Sequence, residues 1–64
     1  MKYNITGIIM GSRELIFSAQ STFVPRQDEE IEIDGVVFIV KSVRYQMVNG
    51  NSAIQNVLLS LVRD

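Results

Sequence analysis

Three observations predict an all-β fold, a small five-stranded antiparallel meander closing into an SH3-like barrel. Turn signals punctuate the chain at Gly11-Ser12-Arg13, Pro25 to Gln27, Asp34-Gly35 and Asn49-Gly50. The runs between them are rich in isoleucine, valine and phenylalanine and either alternate or are wholly apolar, which is strand composition. The apolar face also switches partway along the run from Val36 to Val48. A strand whose inward face changes can serve both sheets of a small barrel.

The first hairpin is expected around a three-residue loop, Gly11 to Arg13, with one left-handed position. That loop sets Met10 against Glu14, Ile9 against Leu15, Gly7 against Phe17 and Ile5 against Ala19. Tyr3, Ile5, Ile9, Leu15, Phe17 and Ala19 then share the core face, and Gly7 leaves room for the Phe17 ring. Phe23-Val24 leads to Pro25, which cannot donate to a ladder and ends the pairing.

The second hairpin is the best specified. Asp34-Gly35 suits a two-residue turn with positive φ at both central positions. It pairs Ile33 with Val36, Glu32 with Val37, Ile31 with Phe38, Glu30 with Ile39 and Glu29 with Val40. Ile31, Ile33, Val36, Phe38 and Val40 become core, while Glu30, Glu32, Val37, Ile39 and Lys41 form the other face. The five carboxylates of Asp28 to Asp34 are therefore mostly the wet side of an alternating strand, where charge also discourages unwanted strand addition. Magnesium or calcium is disfavoured, because alternate strand residues lack the wrapping loop that hard cations need. Val37 and Ile39 do not fit a wet face, which points to cover from the barrel or from a second subunit.

The third hairpin follows from Asn49-Gly50. It pairs Met47 with Ser52, Tyr45 with Ile54, Val43 with Asn56, Ser42 with Val57, Val40 with Leu59 and Phe38 with Leu61. The switch from even to odd apolar positions requires a bulge near Lys41-Ser42. The competing reading is a β-sheet with a short C-terminal helix, since Ser52-Ala53-Ile54-Gln55 matches a capping box and Ile54, Val57, Leu58 and Leu61 have helical spacing. A strand is favoured because it continues the core face and gives the long strand its local partner.

The 64 residues are expected to form one small β-barrel domain, residues 1–64. A domain of this size hides only about 60% of its unfolded surface, so a lone core is marginal. Disulfides are excluded by the absence of cysteine, and zinc and transition metals lose their commonest ligands in the absence of histidine. Self-association is the remaining supplement, and 47% apolar content supplies surface for it. A net charge of −1 gives no general attraction to phosphate backbones or anionic membrane. The chain shows neither a secretion signal nor a spanning apolar run, and is expected to be soluble and cytoplasmic. Asn4-Ile5-Thr6 reads as a chance glycosylation match inside a strand.

The run Val24-Pro25-Arg26, Asp28 to Gly35, Phe38-Ile39-Val40 and Val43-Arg44-Tyr45 resembles a pattern found in small β-barrel proteins of bacteriophages and bacterial mobile elements, some with SH3-like folds. Gln27-Asp28 departs from it where Gly-Asp is usual. The resemblance covers about a third of the chain, implies a fold class and a phage or mobile-element origin, and carries no catalytic residue across.

No enzyme is expected. General base and nucleophile roles would fall to serine, carboxylate, lysine or tyrosine, and neither a phosphate loop nor a nucleophile elbow is present. No cofactor is implied. The favoured class is a protein interaction module, a phage product that binds and inhibits a host factor, in the host cytoplasm and as a homo-oligomer, with Glu30, Glu32, Val37 and Ile39 as its contact residues. The alternative is a small-molecule or nucleotide binder whose pocket at a subunit interface uses Arg13, Arg26, Arg44 or Tyr45. Single-stranded nucleic-acid binding ranks third, because no basic groove interleaved with aromatics is evident.

Overall fold

The computed structural model describes the backbone of residues 2–48 and 51–64, and the side chains of residues 2–47 and 56–64. Five strands make one sheet: β1 (Tyr3–Ile9), β2 (Leu15–Ser21), β3 (Glu30–Ile33), β4 (Val36–Val48) and β5 (Asn51–Arg63). The spatial order is β2-β1-β5-β4-β3. It corrects the expected closed antiparallel meander in two respects: β2 and β3 do not pair and are the two edges, and β5 lies between β4 and β1 and runs parallel to β1, making the sheet mixed. No helix occurs among the described residues, so the helical reading of Ile54 to Leu61 is also corrected. Within that stretch Val57-Leu58-Leu59 is an unbroken apolar run, with Val57 and Leu59 buried and Leu58 half-buried on the opposite face, as suits a central strand.

Laid flat, five strands would hold β2 and β3 about 19 Å apart at the usual spacing of ~4.8 Å. The sheet instead curls until both edges line one groove, giving an open half-barrel. Residues 22–29 carry the chain from one edge to the other across the open side, with Val24 packed on the core.

The hairpins divide by how local their determinants are. Asp34 and Gly35 adopt φ of 51° and 83°, and all four β3–β4 ladder pairs fall as the turn dictates. Beyond them Val40 N donates to Glu29 O at 2.9 Å and Asp28 N to Val40 O at 2.7 Å. Asp28 and Glu29 thus oppose one residue, in the manner of a bulge whose first residue is left-handed. In the first hairpin Gly7 does face Phe17 and Ile5 faces Ala19, but Ile8, not Ile9, faces Leu15. The loop is longer than expected: Ile9 N donates to Glu14 O, Arg13 N donates to Ile9 O, and both Gly11 and Arg13 have positive φ. Ile16 is the extra residue. It packs against the core, while Leu15 is turned out at 62% exposure.

The expected bulge on β4 is present, with Val40 facing Leu61 and Ser42 facing Ser60, so that Lys41 is the extra residue. The expected register of β5 is not. Tyr45 faces Val57, Val43 faces Leu59 and Phe38 faces Arg63, because an irregularity between Gln46 and Val48 absorbs a further shift. The parallel pairing of Ile5 with Val57, Gly7 with Leu59 and Ile9 with Leu61 gives β5 a second alignment to satisfy. The Asn49-Gly50 turn itself lies outside the described residues, as do the side chains expected to meet Met47 and Tyr45 from Ser52 and Ile54.

Among the described residues the core consists of Ile5, Phe38, Val40, Val57, Leu59 and Leu61, with Tyr3, Ile9, Phe17, Ile31, Ile33 and Val43 partly buried around it. Each fully buried aliphatic contributes about 1.5–3 kcal/mol relative to exposure. Ala19 and Val36, placed on the core face by parity, are exposed: Ala19 on the edge strand and Val36 beside the turn. Gly7 is needed where it stands. A β-carbon there would lie 2.6 Å from Phe17 Cδ1 and 3.0 Å from Leu61 Cδ1, so the ring occupies the space a side chain would take. On the convex face Gln20 Nε2 donates to Asn4 Oδ1 at 3.0 Å and Asn4 Nδ2 donates to Asn56 Oδ1 at 3.1 Å, an amide row that ties β2, β1 and β5 in register.

Candidate functional site

The open side of the half-barrel is a groove of about 420 Å³ between its two edge strands. Phe17 and Ala19 of β2 line it on one side and Ile31 and Ile33 of β3 on the other, and Phe23 and Pro25 of the crossing segment also contribute to the lining. The lining is predominantly apolar, and Phe23 is 70% exposed. Glu32 and Asp34 also line it, bringing carboxylates to the β3 side.

The two walls differ in how they are guarded. β3 alternates charge along its length, Glu30-Ile31-Glu32-Ile33, whereas β2, Leu15-Ile16-Phe17-Ser18-Ala19-Gln20-Ser21, carries no charge and no proline. Each strand has one neighbour in the sheet and therefore one unpaired side. An uncharged edge is a template for a further strand, and a charged one is much less so.

A second hollow of about 630 Å³ adjoins the groove and shares Phe23, Pro25 and Ile31 with it. Asp28, Glu29 and Glu30 make it acidic, and Ile39 forms part of its wall. The loop supporting it is held by Glu29 N donating to Arg26 O at 3.2 Å and by Arg26 N donating to Glu29 Oε1 at 2.6 Å. Asp28 sits in that turn with φ of 73°, the conformation glycine usually supplies. Here lies the consequence of Gln27-Asp28: the turn forms, with aspartate held left-handed. Among the described residues no cluster of three or more carboxylates is placed to hold a metal ion.

The expected contact residues are only partly brought together. Glu30 and Glu32 are exposed, with Glu30 in the acidic hollow and Glu32 in the groove. Val37 and Ile39 are half-buried on the same side as these carboxylates, Ile39 lying between Glu30 and Val62 in the ladder. Arg26 belongs to the acidic loop, whereas Arg44 is on β4, exposed on the convex face opposite Leu58. Tyr45 points to the other face and meets Tyr3 edge to face, with ring centroids 6.3 Å apart. Arg26, Arg44 and Tyr45 thus form no common pocket, but Arg13 and Arg44 do line one hollow. The groove residues Phe17, Ala19 and Phe23 were not singled out as functional from the sequence; the uncharged run of β2 was the available signal.

No family model, curated protein or solved structure matches the chain. Among the described residues no helix is long and apolar enough to cross a membrane.

Proposed function

We propose that the chain is a non-enzymatic protein interaction module that takes up an extended segment of a partner along the free edge of β2. The observation that carries this reading is the apolar groove between two unpaired strand edges, one of them free of charge. Main-chain hydrogen bonds to β2 provide affinity, and apolar side chains of the incoming strand fill the space before Phe17, Phe23, Ile31 and Ile33. The added strand completes the closure into an SH3-like barrel. Carboxylates in the groove and the adjoining hollow, Glu32 and Asp34 together with Asp28, Glu29 and Glu30, favour a segment with lysine or arginine beside its apolar positions.

The resemblance of Val24 to Tyr45 to phage barrel proteins supports a host protein as the partner and inhibition by occupancy as the mode of action. Self-association belongs to the same reading. Six buried side chains among the described residues are a small core, and Val37, Ile39 and Val62 offer a second copy a half-buried apolar patch on the convex side, with Ile39 at the margin of the acidic hollow. Ile39→Lys is expected to give a smaller, folded species in size-exclusion chromatography with light scattering; a wild type that is monomeric at high concentration rejects the dimer.

Selection from a library of short extended peptides tests the groove. Recovered sequences are expected to alternate apolar residues and to carry lysine or arginine. Their binding should be lost in Ala19→Lys, which puts an ammonium on an exposed groove wall without touching the core. Selected peptides that bind Ala19→Lys and wild type equally would overturn the proposal. So would a second copy in the groove, seen as a wild-type oligomer that Ala19→Lys dissociates.

A further inference from the structure

The convex face carries a further concavity, of about 210 Å³, lined by Ile8, Arg13, Ser42, Arg44, Leu58 and Ser60. Four elements converge there. Ile8 comes from β1, Arg13 from the β1–β2 loop, Ser42 and Arg44 from β4, and Leu58 and Ser60 from β5. The ladder puts Ser42 directly opposite Ser60, and Arg44 directly opposite Leu58.

The bulge at Lys41 is what creates this set. Before it, Val37 and Ile39 occupy the convex side of β4; after it, Ser42 and Arg44 do, while Val43 packs on the core. Uninterrupted alternation would have put Val43 and Tyr45 there instead. Bulges re-aim side chains in this way and are over-represented beside functional sites. Arg13 is brought in by a loop in which it holds φ of 60°.

The lining has two guanidinium groups, two hydroxyls and no carboxylate, in a chain whose net charge is −1. Among the described residues, the side-chain hydrogen bonds involve neither arginine and neither of these serines. Donors of this kind, converging on one concavity, match an oxyanion. Arginine forks and hydroxyl donors suit a phosphate group, and the half-buried Ile8 and Leu58 offer an apolar floor to whatever the phosphate is attached to.

We propose that this hollow binds a small phosphomonoester, with its phosphate between Arg13 and Arg44, hydroxyl donation from Ser42 and Ser60, and its apolar or planar body over Ile8 and Leu58. The site is independent of the peptide groove, with which it shares no residue. It differs from the small-molecule pocket expected at a subunit interface, because Arg13 and Arg44 line it within a single chain.

The test is an amide NMR titration of the full chain with inorganic phosphate, phenyl phosphate, benzoate and octathymidylate. Phosphate and phenyl phosphate are expected to shift Ser42, Arg44 and Ser60 saturably, phenyl phosphate more tightly because its ring covers the floor. Arg44→Gln and Arg13→Gln should each weaken phenyl phosphate about tenfold, a loss of about 1.4 kcal/mol. Arg44→Lys, which keeps the charge but not the fork, should recover only part of the loss. Shifts that do not saturate, or that persist unchanged in both glutamine variants, would overturn the site. Benzoate binding as tightly as phenyl phosphate would overturn the phosphate assignment. Octathymidylate binding more tightly than phenyl phosphate through the same arginines would replace the small ligand with a nucleic-acid strand.

Discussion

β5 and β2 are both rich in large apolar side chains, and their fates differ completely. Val57, Leu59 and Leu61 of β5 are 1% exposed or less, whereas no residue of β2 is buried and Leu15 stands mostly in solvent. Composition does not separate them; position in the sheet does. β5 lies between β1 and β4, with its core face at the floor of the curl, while β2 has one neighbour and an open side. The lesson is that apolar content marks a strand here, and the number of its neighbours decides whether that content stabilises the fold or remains available to a partner.

The comparison breaks most easily at Leu59. Leu59→Ala should cost about 2–5 kcal/mol by cavity formation in urea denaturation, while Leu15→Ala stays within about 0.5 kcal/mol. Equal losses would mean that β2 is as enclosed as β5. Gly7→Ala tests the seam between the two regions. Its methyl group must displace the Phe17 ring and should cost about 1–3 kcal/mol, with partial recovery when Phe17→Leu is added. A smaller effect lies in the acidic loop. Asp28→Gly removes a left-handed cost of about 1–2 kcal/mol and adds a glycine entropy penalty of about 0.5–1 kcal/mol, so thermal melting should show a net gain of roughly 0.5 kcal/mol. Smallest in stability is the pair Glu30→Gln and Glu32→Gln, expected to leave folding within about 0.5 kcal/mol. Stopped-flow mixing with a selected basic peptide should nevertheless show association slowed several-fold and its salt dependence flattened, as screening over ~10 Å at about 0.1 M implies. An unchanged rate would reduce the acidic strand to a solvated edge.

How much of this could be read beforehand follows from the range of each determinant. Asp34-Gly35 sets its hairpin from two adjacent residues, and every β3–β4 ladder pair follows. The face switch along β4 required the Lys41 bulge, and the pairing of Gly7 with Phe17, expected from a three-residue loop, holds because the extra loop residue and the bulge at Ile16 offset each other. The parallel contact of β1 with β5 has no local sign, since it joins residues such as Ile5 and Val57 through no turn. Its trace in the sequence was the unbroken run Val57-Leu58-Leu59, which fits a strand flanked on both sides as well as it fits a helix. Leu15 was misplaced because one extra loop residue and a bulge at Ile16 reverse its face. The groove was hidden because it requires knowing that β2 and β3 are the two edges.

Amide hydrogen exchange on the isolated chain tests the open seam most directly. Slow exchange is expected along Val57 to Leu61, where β5 is paired on both sides, and rapid exchange at alternate amides of the seven-residue β2, those directed away from β1. Addition of a selected peptide should slow those outward amides and leave β5 unchanged. Protection of every β2 amide in the monomeric chain without peptide would contradict the account, because the edge would then already be covered.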